Sequence, residues 1–218
     1  MHVGILGGTG PAGRGLAVRL AAAGAAVTIG SREAARGESI AAELADAWPE
    51  RPLALRGTDN EGAAAAELVV VGTPWDGAVA TARALRGPLE GKVVVSMAVA
   101  LLKEGREMVA LAHARGSMAG ALQAALPGSL VAGAFHHLPA STMEALDTPL
   151  AAHVLVCSDH KEATAATLAL VESIDGLVAV DAGSLAQAGA VEAFTAVLIN
   201  VNILHKVHST LVLGGLDR

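Results

Sequence analysis

Glycines at fixed spacing follow the first apolar run of the chain and could hold a phosphate group. The run His2–Leu6 leads into Gly8-Thr9-Gly10-Pro11-Ala12-Gly13, and a helix-like segment follows. In a nucleotide-binding strand–turn–helix unit, the first glycine permits a tight turn, the second lets the backbone approach a pyrophosphate, and the third lets the helix pack closely. Free N–H groups and the helix dipole then favour negative charge. Gly8, Gly10 and Gly13 therefore predict a dinucleotide site; the alternative is a glycine-rich turn that binds nothing.

The end of the second predicted strand indicates which dinucleotide binds. About 20 residues beyond the glycines, an NAD site usually carries Asp or Glu for the ribose 2′-hydroxyl. Here Ser31 and Arg32 stand at that place, and Arg36 lies one helical turn further on. A hydroxyl and guanidinium groups bind a 2′-phosphate by charge-assisted hydrogen bonds, whereas a carboxylate repels it. These residues predict an NADP(H) site, and only an inward-pointing Glu33 would argue against it.

Two further loops are expected at the nicotinamide end of the dinucleotide. In a doubly wound sheet, ligands lie beyond the carboxyl ends of the strands. Thr73, Pro74 and Trp75 follow the fourth predicted strand, and Ala98 and Val99 follow the fifth. We predict that these five residues contact the cofactor. The alternative for Pro74 and Trp75 is the start of a helix whose indole serves packing.

A pair of histidines follows the sixth predicted strand, within Phe135-His136-His137-Leu138-Pro139-Ala140. A neutral imidazole beside the cofactor can donate a hydrogen bond to a substrate carbonyl. His136 is therefore the candidate for a catalytic contact, in a polarising role rather than as a strict acid or base. The alternatives are a loop histidine satisfied within the protein and a histidine that bonds between two domains.

Several catalytic groups are missing from the sequence. The chain contains no tyrosine, which excludes dehydrogenases that pair a catalytic tyrosine with a lysine. No acid–base pair stands at an obvious catalytic position. This indicates a hydride transfer that needs no demanding proton transfer from a side chain, with a second redox cofactor as its partner. Such a protein works by holding two rings face to face at about 3–3.5 Å.

Charge and cysteine content bound the class of protein. The net charge of −6 without a basic stripe argues against nucleic-acid binding. The single cysteine, Cys157, excludes an internal disulfide, fits a reducing cytoplasm and is expected to be buried. His205 and His208 lack Asp or Cys partners at ligand spacing, so no metal site is expected. The apolar runs Val93–Leu102 and Ala193–Leu204 are shorter than the roughly 18–20 residues of a membrane span. We therefore expect no membrane helix and no signal peptide before the first strand.

Apolar runs and turn signals alternate as strand and helix, which predicts an α/β fold of Rossmann type with a doubly wound parallel sheet. The expected strands are His2–Leu6, Ala26–Ile29, Leu53–Arg56, Leu68–Val71, Val93–Ser96 and Leu130–Ala134. The expected helices between them are 13–23, 33–47, 59–66, 75–86 and 117–125. We expect residues 1–140 to form the NADP-binding domain.

Residues 141–218 are expected to form a small C-terminal α/β domain. Its expected elements are a strand His153–Cys157, a helix Lys161–Ser173, a strand Leu177–Asp181 and a helix Ala190–Leu213. The last helix is nearly all apolar. Because a helix that is apolar on most faces is normally buried, we expect it at the interface of a homodimer.

The chain resembles the NADPH-dependent coenzyme F420 reductases, also called F420:NADP oxidoreductases, over nearly its whole length. The motifs that carry the resemblance are Gly7–Leu16, Gly30-Ser31-Arg32 with Arg36, Pro74-Trp75, Phe135–Ala140, Val156–Asp159, Ile174–Leu177, Asp181–Leu185 and Val191–Thr195. The resemblance implies a homodimer with an N-terminal Rossmann domain. It also implies reversible hydride transfer between nicotinamide C4 of NADPH and C5 of an 8-hydroxy-5-deazaflavin, the coenzyme F420, in the cleft between the domains.

The resemblance also implies roles for individual residues. The residues implied for the pyrophosphate are Thr9, Gly10, Pro11 and Ala12; for the 2′-phosphate, Ser31, Arg32 and Arg36; for the rest of the NADP site, Trp75, Val99 and Ala140. Those implied near the paired rings are His136, Leu138 and Thr195, with Thr210 near the deazaflavin.

One departure from the family's pattern concerns the second substrate. Family members carry Asn-Ser-Arg just before the Val-Glu-x-x-Thr element, where this chain has Gln187-Ala188-Gly189. A cation there would meet the acidic tail or ring of the deazaflavin, and in a chain of net charge −6 local Arg or Lys must supply that attraction. Two alternatives therefore stay open: an NADPH-dependent reductase of an imine, a flavin or a ferric complex, and a non-catalytic regulator that senses NADP(H).

Overall fold

The computed structural model describes residues 1–216. The strands within this part are β1 (His2–Leu6), β2 (Ala26–Ser31), β3 (Leu55–Asp59), β4 (Leu68–Val71), β5 (Val93–Ser96), β6 (Leu101–Glu104), β7 (Glu107–Ala110), β8 (Leu130–Gly133), β9 (Ala152–Ser158) and β10 (Leu177–Asp181). The helices are α1 (Pro11–Ala22), α2 (Ala34–Asp46), α3 (Asn60–Ala64), α4 (Trp75–Ala84), α5 (Arg86–Leu89), α6 (Met118–Ala125), α7 (Ala140–Glu144), α8 (Lys161–Glu172) and α9 (Leu185–His205).

Six strands form the doubly wound core in the order β3-β2-β1-β4-β5-β8, with every neighbouring pair parallel. Leu68–Val71 and Val93–Ser96 are buried throughout because helices cover both faces of a parallel sheet. One face packs on α1, α2 and α8, and the other on α3, α4, α6 and α9. The predicted Rossmann-type fold is confirmed. Its crevice lies between β1 and β4, where the order of the strands reverses.

The C-terminal strands extend the same sheet. β9 pairs antiparallel with β8 through Ala132–Ser158 and Gly133–Cys157, and β10 pairs parallel with β9. Because only the end of β9 pairs with β8, its first residues project beyond the carboxyl edge of the core. The C-terminal part therefore forms one wall beside that edge. That residues 141–218 form a separate domain stays a prediction.

A β-hairpin after β5 was not expected from the sequence. β6 and β7 pair antiparallel around Gly105, whose φ is 59°. Glycine at the first central position suits a two-residue hairpin turn, so the Gly105-Arg106 pair was the available signal. The side-chain amide of Asn200 accepts from the Met108 N–H at 2.7 Å and donates to its carbonyl at 2.9 Å. These two bonds fasten the hairpin to α9.

The last helix differs from the expected Ala190–Leu213 at both ends. It begins at Leu185 and ends at His205, where Lys206 adopts a left-handed conformation with φ 53°. Asn202 Oδ1 accepts from the backbone N–H and hydroxyl of Ser209, at 2.7 and 2.6 Å. These bonds turn the chain back toward β9, where His153 N–H donates to the Leu211 carbonyl at 2.8 Å.

Burial of α9 is uneven. Its first half packs on the sheet, while Leu204 is 75% exposed and Val197 is 51% exposed. A single chain therefore leaves part of the helix uncovered, and its expected burial at a homodimer interface stays a prediction. By length and composition alone, its 21 residues would also suffice to cross a membrane. One such helix is weak evidence, since a core helix meets the same criterion.

Candidate functional site

The turn after β1 is held open by glycine and by an asparagine from a distant element. Gly7, rather than Gly8 as the spacing suggested, is the left-handed residue, with φ 63°. A Cβ at Gly7 would lie 2.5 Å from Thr73 Cγ2, so only glycine fits beside the loop after β4. The Asn60 Oδ1 atom accepts from the Gly7 N–H at 2.9 Å and fixes the turn. Sequence reasoning missed Asn60, because nothing in its neighbourhood marks it as a partner of the turn.

The start of α1 has the features that a phosphate needs. Gly10 precedes the helix in an extended conformation, and no side chain caps the free N–H groups. A Cβ at Gly10 would meet nothing closer than 4.0 Å, whereas a Cβ at Gly13 would lie 2.6 Å from Gly8 Cα. Gly13 thus permits the predicted close packing, and the space over Gly10 is open. Pro11 and Ala12 are exposed beside it, with Thr9 half-buried.

Two arginines stand at the end of β2. Ser31 is buried, whereas Arg32 and Arg36 are exposed. Within residues 1–216 neither guanidinium forms an ion pair, and Glu33 is exposed without a bond to either. An unpaired pair of cations beside a buried hydroxyl is suited to a dianion such as a 2′-phosphate.

Buried polar atoms without partners cluster at the carboxyl ends of β4, β5 and β8. Of six such side-chain atoms in residues 1–216, five belong to Thr73 (Oγ1), Ser96 (Oγ), His136 (Nδ1 and Nε2) and His137 (Nδ1). The sixth is Oγ1 of Thr167 on α8. Because buried polar groups in native proteins are nearly always paired, these five atoms indicate a place that a polar ligand completes.

His136 is neutral in this setting. The residue is 7% exposed, and burial, together with the neighbouring His137, lowers its pKa to about 3. Burial also lowers the pKa of His137, whose Nε2 donates to the His153 carbonyl at 2.9 Å. The preceding Phe135 has φ 66°, an unusual backbone conformation for a residue with a side chain, in the turn that leads to His136.

The structure brings several predicted residues together around His136. A small cavity of about 40 Å³ is lined by eight residues, among them Ala12, His136, Leu138 and Ala140. The Thr195 hydroxyl lies 3.5 Å from the His136 carbonyl. The glycine-rich turn, the histidine and the start of α7 are thus neighbours, and their contacts with a ligand stay predictions.

Other predicted residues lie outside that cavity. Pro74 precedes α4, and Trp75 is its first residue, so the alternative of a helix start is confirmed. The indole is not packed away, since Trp75 is 37% exposed, and its contact with the cofactor stays a prediction. Ala98 is buried, and Val99 lines a separate small cavity shared with Gly189. Thr210 donates to the Ala151 carbonyl at 2.7 Å, at the start of β9.

Arg19 supports one wall of the site and was missed from the sequence. Its buried guanidinium donates to four carbonyl oxygens, those of Thr142, Met143, Ala145 and Thr148. These carbonyls belong to α7 and the turn after it, so Arg19 holds the segment that carries Ala140. The available signal was an arginine within the apolar run Leu16–Ala21.

Glu192 fixes the opposite wall. Its carboxylate accepts from the N–H groups of Met118 and Ala119, at 2.8 and 3.0 Å, at the start of α6. The Ser117 hydroxyl accepts from Gly120 in the same turn. Burial raises the pKa of Glu192, and these backbone bonds oppose the rise. The Val191–Thr195 motif therefore includes a carboxylate that binds a helix start, which is a structural role.

Cys157 is buried, as expected, and burial raises its pKa to about 11. A thiol of this kind is not a nucleophile at neutral pH. No group of three metal-binding side chains occurs within residues 1–216.

Comparison with known proteins decides the family. Residues 2–100 match the pattern of the family described as NADP oxidoreductase, coenzyme F420-dependent. The F420-dependent NADP reductase of Methanocaldococcus jannaschii is 34% identical over 215 residues, which is 96% of each chain. This chain belongs to the F420-dependent NADP reductase family. The enzyme of that name from Methanothermobacter marburgensis is also 34% identical, over 96% of each chain.

The solved structures agree with the family assignment. A candidate F420-dependent NADP reductase from Arthrobacter sp. FB24 superposes with a TM-score of 0.81. It is 26% identical, and the match covers 97% of this chain and 99% of that one. The family resemblance seen in the sequence is thereby confirmed, and so is the Rossmann-type fold.

Proposed function

We propose that this protein is an NADPH:coenzyme F420 oxidoreductase that transfers hydride reversibly between its two substrates. Two F420-dependent NADP reductases each match 96% of this chain, and this similarity supports the reaction. The structural observation that carries it is the cluster of unpaired polar atoms of Thr73, Ser96 and His136, next to the open start of α1.

NADP(H) fits the first half of the site. The pyrophosphate would lie over Gly10, where the backbone is open, and would accept from N–H groups at the start of α1. Ser31, Arg32 and Arg36 would hold the 2′-phosphate. No carboxylate ends β2, so the feature that selects NAD over NADP is missing there.

The polar atoms at the carboxyl ends of β4, β5 and β8 suit the nicotinamide end. A carboxamide or ribose hydroxyl placed there would pair with Thr73 Oγ1, Ser96 Oγ and one nitrogen of His136. When bound, NADPH supplies the hydride and the deazaflavin accepts it. The protein contributes binding, orientation and exclusion of water.

His136 would act as a hydrogen-bond donor and not as an acid or base. With a pKa of about 3 its ring stays neutral at physiological pH and carries one N–H. We propose that this N–H polarises the acceptor, while Leu138, Thr195 and Thr210 contribute to the deazaflavin side of the cleft. A neutral N–H donor can stabilise the negative charge that hydride addition brings to the acceptor ring, and a proton from solvent then completes the reduced coenzyme.

We further propose a cytoplasmic homodimer built through α9. Phe194, Val197, Val201 and Leu204 lie three and four residues apart, which places them on one stripe of the helix. Three of them are among the exposed large apolar residues of the chain. A two-fold axis would bury this stripe against its copy, as an isologous interface requires. The single buried cysteine suits a reducing compartment.

A spectroscopic assay tests the proposed reaction. The protein is mixed with NADPH and F420, and the loss of deazaflavin absorbance is followed, with NADH in place of NADPH as the control. Turnover with NADPH and much less with NADH is expected. Absence of turnover above the blank, while NADPH binds in a separate titration, would overturn the proposal. A screen of imines, flavins and ferric complexes in the same buffer would then separate another acceptor from a non-catalytic sensor.

A further inference from the structure

A groove between α4 and α6 carries cations that the fold itself does not use. Its volume is about 390 Å³, and its lining includes Trp75, Arg83, His113 and Arg115. Within residues 1–216 neither Arg83 nor Arg115 makes a side-chain hydrogen bond or an ion pair. Of the described lining residues only Asp76 is acidic. The groove is thus a local cationic surface on a chain whose net charge is −6.

The shape of the groove suits an extended chain. The two helices contact each other, and the alanines 121, 124 and 125 line the groove on the α6 side. Trp75 begins α4 and Arg83 stands near its end, so the groove extends about 12 Å at the helical rise of about 1.5 Å per residue. Small side chains on the floor leave room for a ligand, and the unpaired guanidinium groups attract an anionic one.

The groove connects with the proposed active site at two points. Trp75 follows the loop of Thr73, whose hydroxyl belongs to the cluster of unpaired polar atoms. His113 lines both the groove and the small cavity that contains Val99 and Gly189. A molecule whose ring lies at the carboxyl edge of the sheet could therefore extend its side chain past His113 into the groove.

We propose that this groove holds the acidic tail of the deazaflavin substrate, with Arg83 and Arg115 as the charge partners of its anionic groups. The proposal rests on the proposed function, since it assigns a place to part of that substrate. It also answers the loss of a cation at position 189: Gly189 lets the loop 113–116 approach α9, and that loop carries Arg115. The positive charge that attracts the acidic tail then comes from this loop and from α4, and not from α9.

Binding measurements with two probes test the groove. The full-length double variant Arg83→Gln plus Arg115→Gln is compared with Arg56→Gln plus Arg106→Gln, which removes the same charge from β3 and the hairpin turn. Binding is followed by the fluorescence of F420 and, separately, of the same deazaflavin ring without its acidic tail. The groove variant should bind F420 about tenfold more weakly, the size expected for losing two exposed charge pairs. Its affinity for the tailless ring and for NADPH should stay within about twofold of the wild type.

Ionic strength supplies a second readout. Raising the salt from about 0.05 M to about 0.5 M should weaken F420 binding by the wild type and by the control, and much less by the groove variant. Equal affinities of the groove and control variants for F420 would overturn the groove assignment alone. Equal weakening for both probes, or loss of the dimer in light scattering, would also overturn it and would indicate ring binding or a subunit contact. If the wild-type protein binds neither probe, the proposed function fails together with the groove.

Discussion

Gly189 on α9 lies against the carbonyl oxygen of Gly116, and a Cβ atom at position 189 would be only 2.3 Å from that oxygen. The contact places the loop before α6 against α9, next to the bonds from Glu192 to the start of α6. The absence of a side chain at 189 is therefore a packing requirement of this chain. An arginine there would displace the loop that carries His113 and Arg115.

This contact predicts that changing Gly189 to alanine has the opposite effect on stability from the usual one in a helix. In a helix interior such a change ordinarily stabilises by roughly 0.5–1 kcal/mol. Gly189→Ala should instead destabilise by about 1–3 kcal/mol, because the added methyl group overpacks the loop. Gly77→Ala on α4 is the matched control, since a Cβ there meets nothing within 4 Å. Urea unfolding of both variants gives the sign, and stabilisation by both would contradict the close contact.

Arg32→Ala should distinguish the two nicotinamide dinucleotides. Loss of its charge-assisted bonds to a 2′-phosphate should weaken NADPH binding by about 1.5–3 kcal/mol and leave NADH nearly unchanged. Titrations of both nucleotides measure the difference, and Arg106→Ala in the hairpin turn controls for net charge. An equal loss for NADPH and NADH would mean that Arg32 does not contact the 2′-phosphate.

His136 should make stability depend on pH in a defined window. Its pKa is about 3 in the folded chain, against an ordinary value of 6.5, so between these values the unfolded chain binds the additional proton. The free energy of unfolding contributed by this group is therefore fully present above about pH 6.5 and falls toward pH 3, by up to about 1.4 kcal/mol per pH unit.

The variant His136→Gln lacks the ring that binds this proton. Comparing it with the wild type therefore separates the effect of His136 from that of carboxylates that titrate in the same pH range. The stability of the wild type relative to the variant should shrink as the pH is lowered from 7 to 5, with exposed His205→Gln as the control. A wild-type advantage that stays constant over this range would show that the His136 ring is not held neutral by burial.

A charge in the apolar stripe of α9 should break the proposed dimer. Val197→Glu would place a carboxylate in the centre of the buried stripe, where it has no partner, and the variant should be monomeric by light scattering. Gln187→Glu adds the same charge to an exposed position of the same helix and should remain a dimer. A wild-type protein that is monomeric at micromolar concentration would remove the basis of this interface.

Much of the candidate nucleotide site could be proposed from the sequence because its signals are local. Glycine spacing, the buried strands β4 and β5, and Ser31-Arg32 at the end of β2 are each read from a few adjacent residues. The same holds for the Rossmann-type fold, since alternating strands and helices leave few ways to cover both faces of a parallel sheet. The hairpin at Gly105 was missed because its anchor, Asn200, bonds to Met108 at a distant position in the chain. The early end of α9 at His205 was missed because the apolar pattern continues past it, while Lys206 is left-handed and Asn202 bonds to Ser209.

The sequence by itself determined the fold class, the family and the preference for NADP, since these depend on local patterns and on similarity along the whole chain. Only the tertiary structure decided which polar groups meet at one edge of the sheet, that Gly7 and not Gly8 is the left-handed residue, and that Arg19 and Glu192 support the two walls of the site. Those outcomes depend on burial and on contacts between residues up to 129 positions apart. Desolvation and close approach arise only when the packed elements exist, so no local pattern records them.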